Sequence, residues 1–99
     1  MGYKKDLMIA AEQGDAEAQF NLAVAYYVSL IPRYKKAVYW YEKAAMQGHA
    51  KAQEFLASCY FCGTGVKADE DIAISWYITA AKNGSEVAKQ FLEVHGVEY

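Results

Sequence analysis

Small and apolar residues recur at i, i+4, i+7 and i+8 in two stretches: Ala18, Leu22, Ala25 and Tyr26, then Ala52, Leu56, Cys59 and Tyr60. That spacing places each set on one stripe of an amphipathic helix. A third stripe begins with Ala88 and Leu92 and stops at His95-Gly96. Between the stripes lie two further helical runs, Lys36 to Ala45 and Ile72 to Ala81, in which Trp40 aligns with Trp76 and Tyr41 with Tyr77. Their alanines let neighbouring helices approach, and the aromatic pair fills the space between layers. Residues 4–13 read as the last part of the same helix without its aromatic pair.

The ends of these helices repeat as well. Ala10-Ala11-Glu12-Gln13-Gly14 returns 34 residues later as Ala44-Ala45-Met46-Gln47-Gly48, and 36 residues after that as Ala80-Ala81-Lys82-Asn83-Gly84. Each glycine follows a helix-favouring run and marks a C-terminal cap, because glycine takes the left-handed conformation without a side-chain penalty. Asp15 and Ser85 then stand at N-cap positions, with His49 as the weaker equivalent. A period of this size means stacked helical hairpins, and a hairpin that cannot bury its stripe alone needs neighbours. The expected layout is one domain over 1–99: a partial N-terminal helix in 1–14, repeats in 15–48 and 49–84, and a capping helix with its tail in 85–99.

The two copies part company between their paired helices. The second has Cys62-Gly63-Thr64-Gly65-Val66-Lys67-Ala68-Asp69, a glycine turn with an aspartate placed to cap the next helix. The first has Ser29-Leu30-Ile31-Pro32-Arg33-Tyr34, two residues shorter and without glycine. Pro32 ends any extension of the preceding helix.

Taken together, these residues resemble a Sel1-like repeat, a relative of the tetratricopeptide repeat. Copy two carries Ala50, Ala52, Gln53, Leu56 and Tyr60, then Gly63, Gly65, Val66 and Asp69, then Ala73, Trp76, Tyr77, Ala80, Ala81 and Gly84. Copy one keeps Ala16, Ala18, Gln19, Leu22, Tyr26, Ala37, Trp40, Tyr41, Ala44, Ala45 and Gly48, but loses the glycine turn and has Arg33 in place of the aspartate. The resemblance implies an all-α fold, a short right-handed α-solenoid of antiparallel hairpins with about two and a half repeats and six helices. It also implies an adaptor that binds a protein or peptide in a groove formed by the first helices of the repeats.

Composition narrows the function classes. At 99 residues, with 55% hydrophobic and 22% charged residues, the chain is a globular domain rather than a disordered one. Its net charge of −2 argues against nucleic acid, which needs a concentrated basic face. Most of the nine tyrosines and both tryptophans fall at core-facing repeat positions, so they read as packing and not as a base-stacking platform. No apolar run approaches the roughly 18 residues that span a bilayer. The start, Met1 to Asp6, is not followed by a stretch that reads as a signal peptide, so a cytoplasmic location is expected.

Cys59 and Cys62 form a C-x-x-C at a helix C-terminus, where the dipole favours the thiol over the reactive thiolate. Cys59 also falls on a core position. Asp15 with Glu17, and Asp69 with Glu70 and Asp71, sit in first turns where capping explains them. A structural zinc wants four ligands, and neither His49 nor His95 has ligand spacing to the cysteines. The expectation is a non-enzymatic chain without metal or cofactor.

The candidate binding face lies opposite the apolar stripe of the first helix, where Glu17 accompanies Phe20, Val24 and Tyr27. The last three form an apolar row at i, i+4, i+7 where solvent is expected, and such a row is a candidate interface. The alternative is that residues 3–13 or the Leu30-Ile31 loop fold over it. The matching residues of the second copy are Glu54, Ser58 and Phe61, with Lys51 nearby. These eight side chains are the candidate protein-binding set. The competing readings are self-association through Leu30, Ile31 and Tyr34, giving a homodimer or a small effector-type inhibitor of another protein, and a thiol sensor using Cys62.

Overall fold

The computed structural model describes residues 2–99, and there the chain forms six helices: α1 Gly2–Glu12, α2 Ala16–Tyr27, α3 Tyr34–Met46, α4 Ala50–Cys62, α5 Glu70–Lys82 and α6 Glu86–Val94. Each packs mainly on its immediate neighbours along the chain, giving an α-solenoid of antiparallel hairpins with extents of 44 × 25 × 16 Å. The stack is about two helix diameters across and grows along its long axis.

The corners follow from the glycines. Gly14, Gly48 and Gly84 have φ of +100°, +90° and +99°. Each closes its helix with two reversed bonds; at the second corner, His49 N–H donates to the Ala44 carbonyl (3.2 Å) and Gly48 N–H to that of Ala45 (3.0 Å). This pairing satisfies carbonyls that a helix end leaves free. The next helix starts at once on a side-chain cap. Asp15 Oδ1 accepts from Ala18 N–H, and Ser85 Oγ from Ala88 N–H, both at 3.0 Å. At His49 the acceptor is Nδ1, which takes Ala52 N–H at 3.1 Å.

The expected stripes are buried at Ala18, Leu22, Tyr26, Ala52, Leu56 and Cys59, whereas Ala25 and Tyr60 are only half-buried. Ala23 and Ala57 complete the inner face at zero exposure. Two polar residues share that face. Gln19 Nε2 donates to the Ala11 carbonyl and Gln53 Nε2 to that of Ala45, both at 3.0 Å. Their own side-chain oxygens accept from Gln47 Nε2 (2.9 Å) and Asn83 Nδ2 (3.0 Å). Each buried amide therefore ties its own corner to the corner of the next hairpin, and its polar atoms stay paired as burial demands. Lys89 stands at the matching place in α6 and instead reaches the exposed Glu86.

The glycine turn has a specific use. A Cβ on Gly65, at φ +76°, would lie 2.5 Å from the Tyr34 carbonyl oxygen, so this turn lies directly against the start of α3. The first loop lacks glycine, and among the described residues no earlier loop stacks upon it. Leu30 and Ile31 there are 99% and 77% exposed. Its shortening by two residues splits between α2, one residue shorter than α4, and the connection itself. The closing bond survives, from Arg33 N–H to Tyr26 O (3.0 Å), matching Asp69 N–H to Tyr60 O (2.9 Å). The cap does not: Asp69 Oδ1 accepts from Ile72 N–H, while Arg33 makes no side-chain cap.

Two expectations need correction. Of the tyrosines, Tyr26, Tyr41 and Tyr77 are buried, but Tyr27, Tyr34, Tyr39 and Tyr99 are exposed. Phe20 and Val24 do not face solvent either, being half-buried against the main core. The cover over Phe20 comes from the second hairpin, not from the Leu30-Ile31 loop. Its ring stacks on His49 at 4.7 Å and meets Phe55 edge-on at 5.5 Å. In a solenoid the face of one hairpin's first helix that leans toward the next is also covered, which a single-helix wheel does not reveal.

Candidate functional site

A hollow of about 270 Å³ opens between α2, α4, α5 and α6. Tyr27 lines it from α2, Glu54, Phe55 and Ser58 from α4, Tyr77 from α5 and Val87 from α6, with the buried Cys59 beneath. Three of the eight candidate residues, Tyr27, Glu54 and Ser58, are thus brought together. Phe20 lies one layer away in the aromatic packing, and Val24 belongs to the core edge. Phe61 lines a separate hollow with Phe91 and His95. Lys51 and Glu17 are exposed and line neither hollow.

Aromatic clusters hold both flanks. On one side, Phe20 stacks on His49 and contacts Tyr41 and Phe55 at 5.9 and 5.5 Å. On the other, Tyr77 stacks on Phe91 (3.8 Å) and Phe91 on His95 (4.1 Å), with Phe61 edge-on to both. These rings fix α2, α4 and α6 side by side, so the hollow is preformed.

Corresponding residues of the two hairpins have diverged. Where the first has Phe20 stacked on His49, the second has Glu54 Oε1 accepting from Ser85 Oγ at 2.9 Å. The first hairpin plugs this place with its own ring, and the second leaves it open around a carboxylate. His49 has a further contact: because Nδ1 accepts the cap bond, the ring proton sits on Nε2 and is donated to Glu17 Oε1 at 2.8 Å. Glu17 is therefore engaged within the chain.

Buried hydroxyls and thiols in this region are held protonated. Burial pushes the Cys59 thiol up to about 11, with Cys62 adding to the effect. The Tyr41 phenol is driven far above its ordinary value, first by burial and then by Cys59 and Tyr27. Its hydroxyl finds no hydrogen-bond partner among the described residues. Tyr77 is raised by burial too, but the Ser58 hydroxyl beside it pulls the other way. Val24 occupies the place of Ser58 in the first hairpin, so that position offers Tyr41 no such hydroxyl. Cys59 and Cys62 are both free, and Cys62, the last residue of α4, is exposed. Among the described residues no group of three or more His, Cys, Asp or Glu is placed to hold a metal, and no helix is long and apolar enough to cross a membrane.

Comparison with known proteins agrees with this geometry. The chain is 41% identical over 88 residues to chitin synthase regulatory factor 3 of Schizosaccharomyces pombe, an alignment covering 85% of this chain and 9% of that protein. It spans less than a tenth of the length of the curated relatives it matches. Among solved structures, a Sel1 repeat protein from Oxalobacter formigenes superposes with a TM-score of 0.84 at 37% identity, covering 88% of this chain and 67% of that one. The protective antigen c5321 of uropathogenic Escherichia coli, described as displaying an SLR fold, gives 0.85 at 34% identity, covering 92% of this chain and 20% of that one. The Sel1 repeat pattern itself matches residues 16–49 and 50–85, so the chain belongs to the Sel1 repeat family.

Proposed function

We propose that this chain is a non-enzymatic interaction module whose face formed by α2, α4 and α6 receives a segment of another protein. Helical repeats of this kind act generically as protein-binding scaffolds, and stacked hairpins present continuous surfaces of the sort an extended chain can follow. The observation that carries the reading is the preformed hollow between α2, α4, α5 and α6, apolar at its walls with a few convergent polar groups. Two relatives are named as regulators of chitin synthase, which is consistent with action through a protein partner.

The test is to select binding peptides from a random display library and map them by amide chemical shifts. Shifts clustered on α2, α4 and α6, abolished by Ser58→Trp, support the reading. Ser58 is exposed at the rim, so a bulky ring there obstructs the hollow without entering the core. Shifts centred on the exposed Val28, Leu30 and Ile31 would replace it with association through the first loop.

A further inference from the structure

The hollow carries more information than its shape. Of the residues lining it, Glu54 is the single one with a formal charge at neutral pH, since burial keeps the Cys59 thiol protonated. Its carboxylate is not a loose surface group. Ser85 Oγ accepts the Ala88 N–H as the cap of α6, so its own hydrogen is free to go to Glu54 Oε1, at 2.9 Å. Ser85 is buried and Glu54 half-buried, which sets the carboxylate in a fixed orientation at the edge of the hollow. Among the described residues no lysine, arginine or histidine pairs with it. Around it stand the rings of Tyr27, Phe55 and Tyr77.

We infer that this hollow is a receptor for a cationic side chain, arginine or lysine, of a partner polypeptide, with Glu54 as the counter-charge and the three rings as its walls. The inference rests on the interaction-module reading above and names the chemistry of the segment that binds. Charge complementarity decides among occupants. An anionic side chain would meet a like charge held in place. An aliphatic or aromatic one would fill the apolar walls but strip water from a carboxylate and leave it without a counter-ion, which is unfavourable. A cation replaces that lost hydration with a charge-assisted hydrogen bond and meets the negative faces of aromatic rings.

The chain already shows this preference elsewhere. Lys4 and Lys36 lie over the Tyr26 ring at 4.8 and 5.5 Å, and Lys43 over Tyr39 at 5.1 Å. Those rings are served from within the chain, whereas the rings of the hollow have no such cation among the described residues. The first hairpin supports the same conclusion by contrast. Phe20 stacked on His49 replaces Glu54 bonded to Ser85, so the stack offers one such receptor and not a row of them.

The experiment takes peptides selected on the wild-type chain and measures each by titration calorimetry against wild type and Glu54→Gln. Glutamine keeps an acceptor for Ser85, and thermal unfolding verifies that the variant folds. The same peptides are resynthesised with citrulline, the neutral isostere of arginine, or with acetyl-lysine. Selected peptides should be enriched in arginine or lysine. Affinity should fall about tenfold or more on either Glu54→Gln or the neutral replacement, and the two losses together should not exceed the larger by much, since they break one contact. Peptides that bind the α2, α4 and α6 face without a cationic residue, or that bind Glu54→Gln equally well, would overturn the inference and leave the module reading standing. Peptides indifferent to both Ser58→Trp and Glu54→Gln, or no selected binders at all, would overturn both.

Discussion

Gly65→Ala tests whether the glycine turn exists to let adjacent hairpins touch. Two effects add. A residue with a Cβ at φ +76° loses roughly 1–2 kcal/mol from left-handed strain. The new Cβ would also lie 2.5 Å from the Tyr34 carbonyl oxygen and 2.7 Å from its carbon, both backbone atoms that move only with α3. Relieving an overpacked contact of that kind takes about 1–3 kcal/mol, for a total of about 2–5 kcal/mol. Gly63→Ala is the control. Its φ of +73° gives the same strain, yet its tightest new contact would be the Ala68 methyl at 3.2 Å, with the Ala68 backbone at an ordinary 3.5 Å or more. Any change in the unfolded chain is common to both substitutions. Urea titration followed by circular dichroism should therefore show Gly65→Ala less stable than Gly63→Ala by more than about 1 kcal/mol, or a further loss of roughly 4–8 °C in Tm. Equal losses would mean that the contact with Tyr34 yields freely and that Gly65 does not serve the packing of one hairpin on the next.

Three other outcomes are expected. Arg33→Asp restores the missing cap of α3 and should raise stability by about 0.5–2 kcal/mol in the same titration; no gain would show that the shortened loop holds residue 33 away from capping geometry. Tyr41→Phe removes a buried hydroxyl without a partner and should leave the unfolding midpoint unchanged or raised, whereas a loss above about 1 kcal/mol would reveal a bond at that hydroxyl. Stability should decline as the pH rises from about 9 toward 11. The folded state binds the Cys59 proton more tightly than the unfolded one, so its contribution is whole below the unfolded value of 9.0 and gone above about 11. Cys59→Ala should flatten that stretch of the stability curve, and an unchanged slope would refute the assignment.

Periodicity made the helices, corners and caps legible, because each depends on residues a few positions apart: Gly48 before His49, or Asp69 before Ile72. Identical reasoning placed Cys59 inside and Cys62 at the helix end. What it missed involves partners about 30 residues away. Phe20 looks solvent-facing on a wheel of α2 alone, and only the arrival of His49 and Phe55 covers it. Gln19 and Gln53 are visible as recurring residues, but the bonds they accept from Gln47 and Asn83, 28 and 30 residues further on, require the next corner to arrive. Half of the candidate site suffered likewise. Glu54 and Ser58 were singled out as the polar counterparts of Phe20 and Val24, whereas Tyr77 and Val87 enter from α5 and α6, and the offset of the copies gives no hint of that convergence.

The amide pairs joining one corner to the next have an engineering consequence. Gln53 offers its oxygen to Asn83 just as Gln19 offers its own to Gln47, so residues 50–85 begin and end on matching connectors. Such a segment is a cassette: in a duplicate spliced in after residue 85, the copied Gln53 would meet the Ala81 carbonyl as the original meets that of Ala45, and its oxygen would pair with the copied Asn83. A Lys89→Gln exchange would give α6 the connector it lacks. The length of the surface then becomes a design variable, set by copying 36 residues at a time.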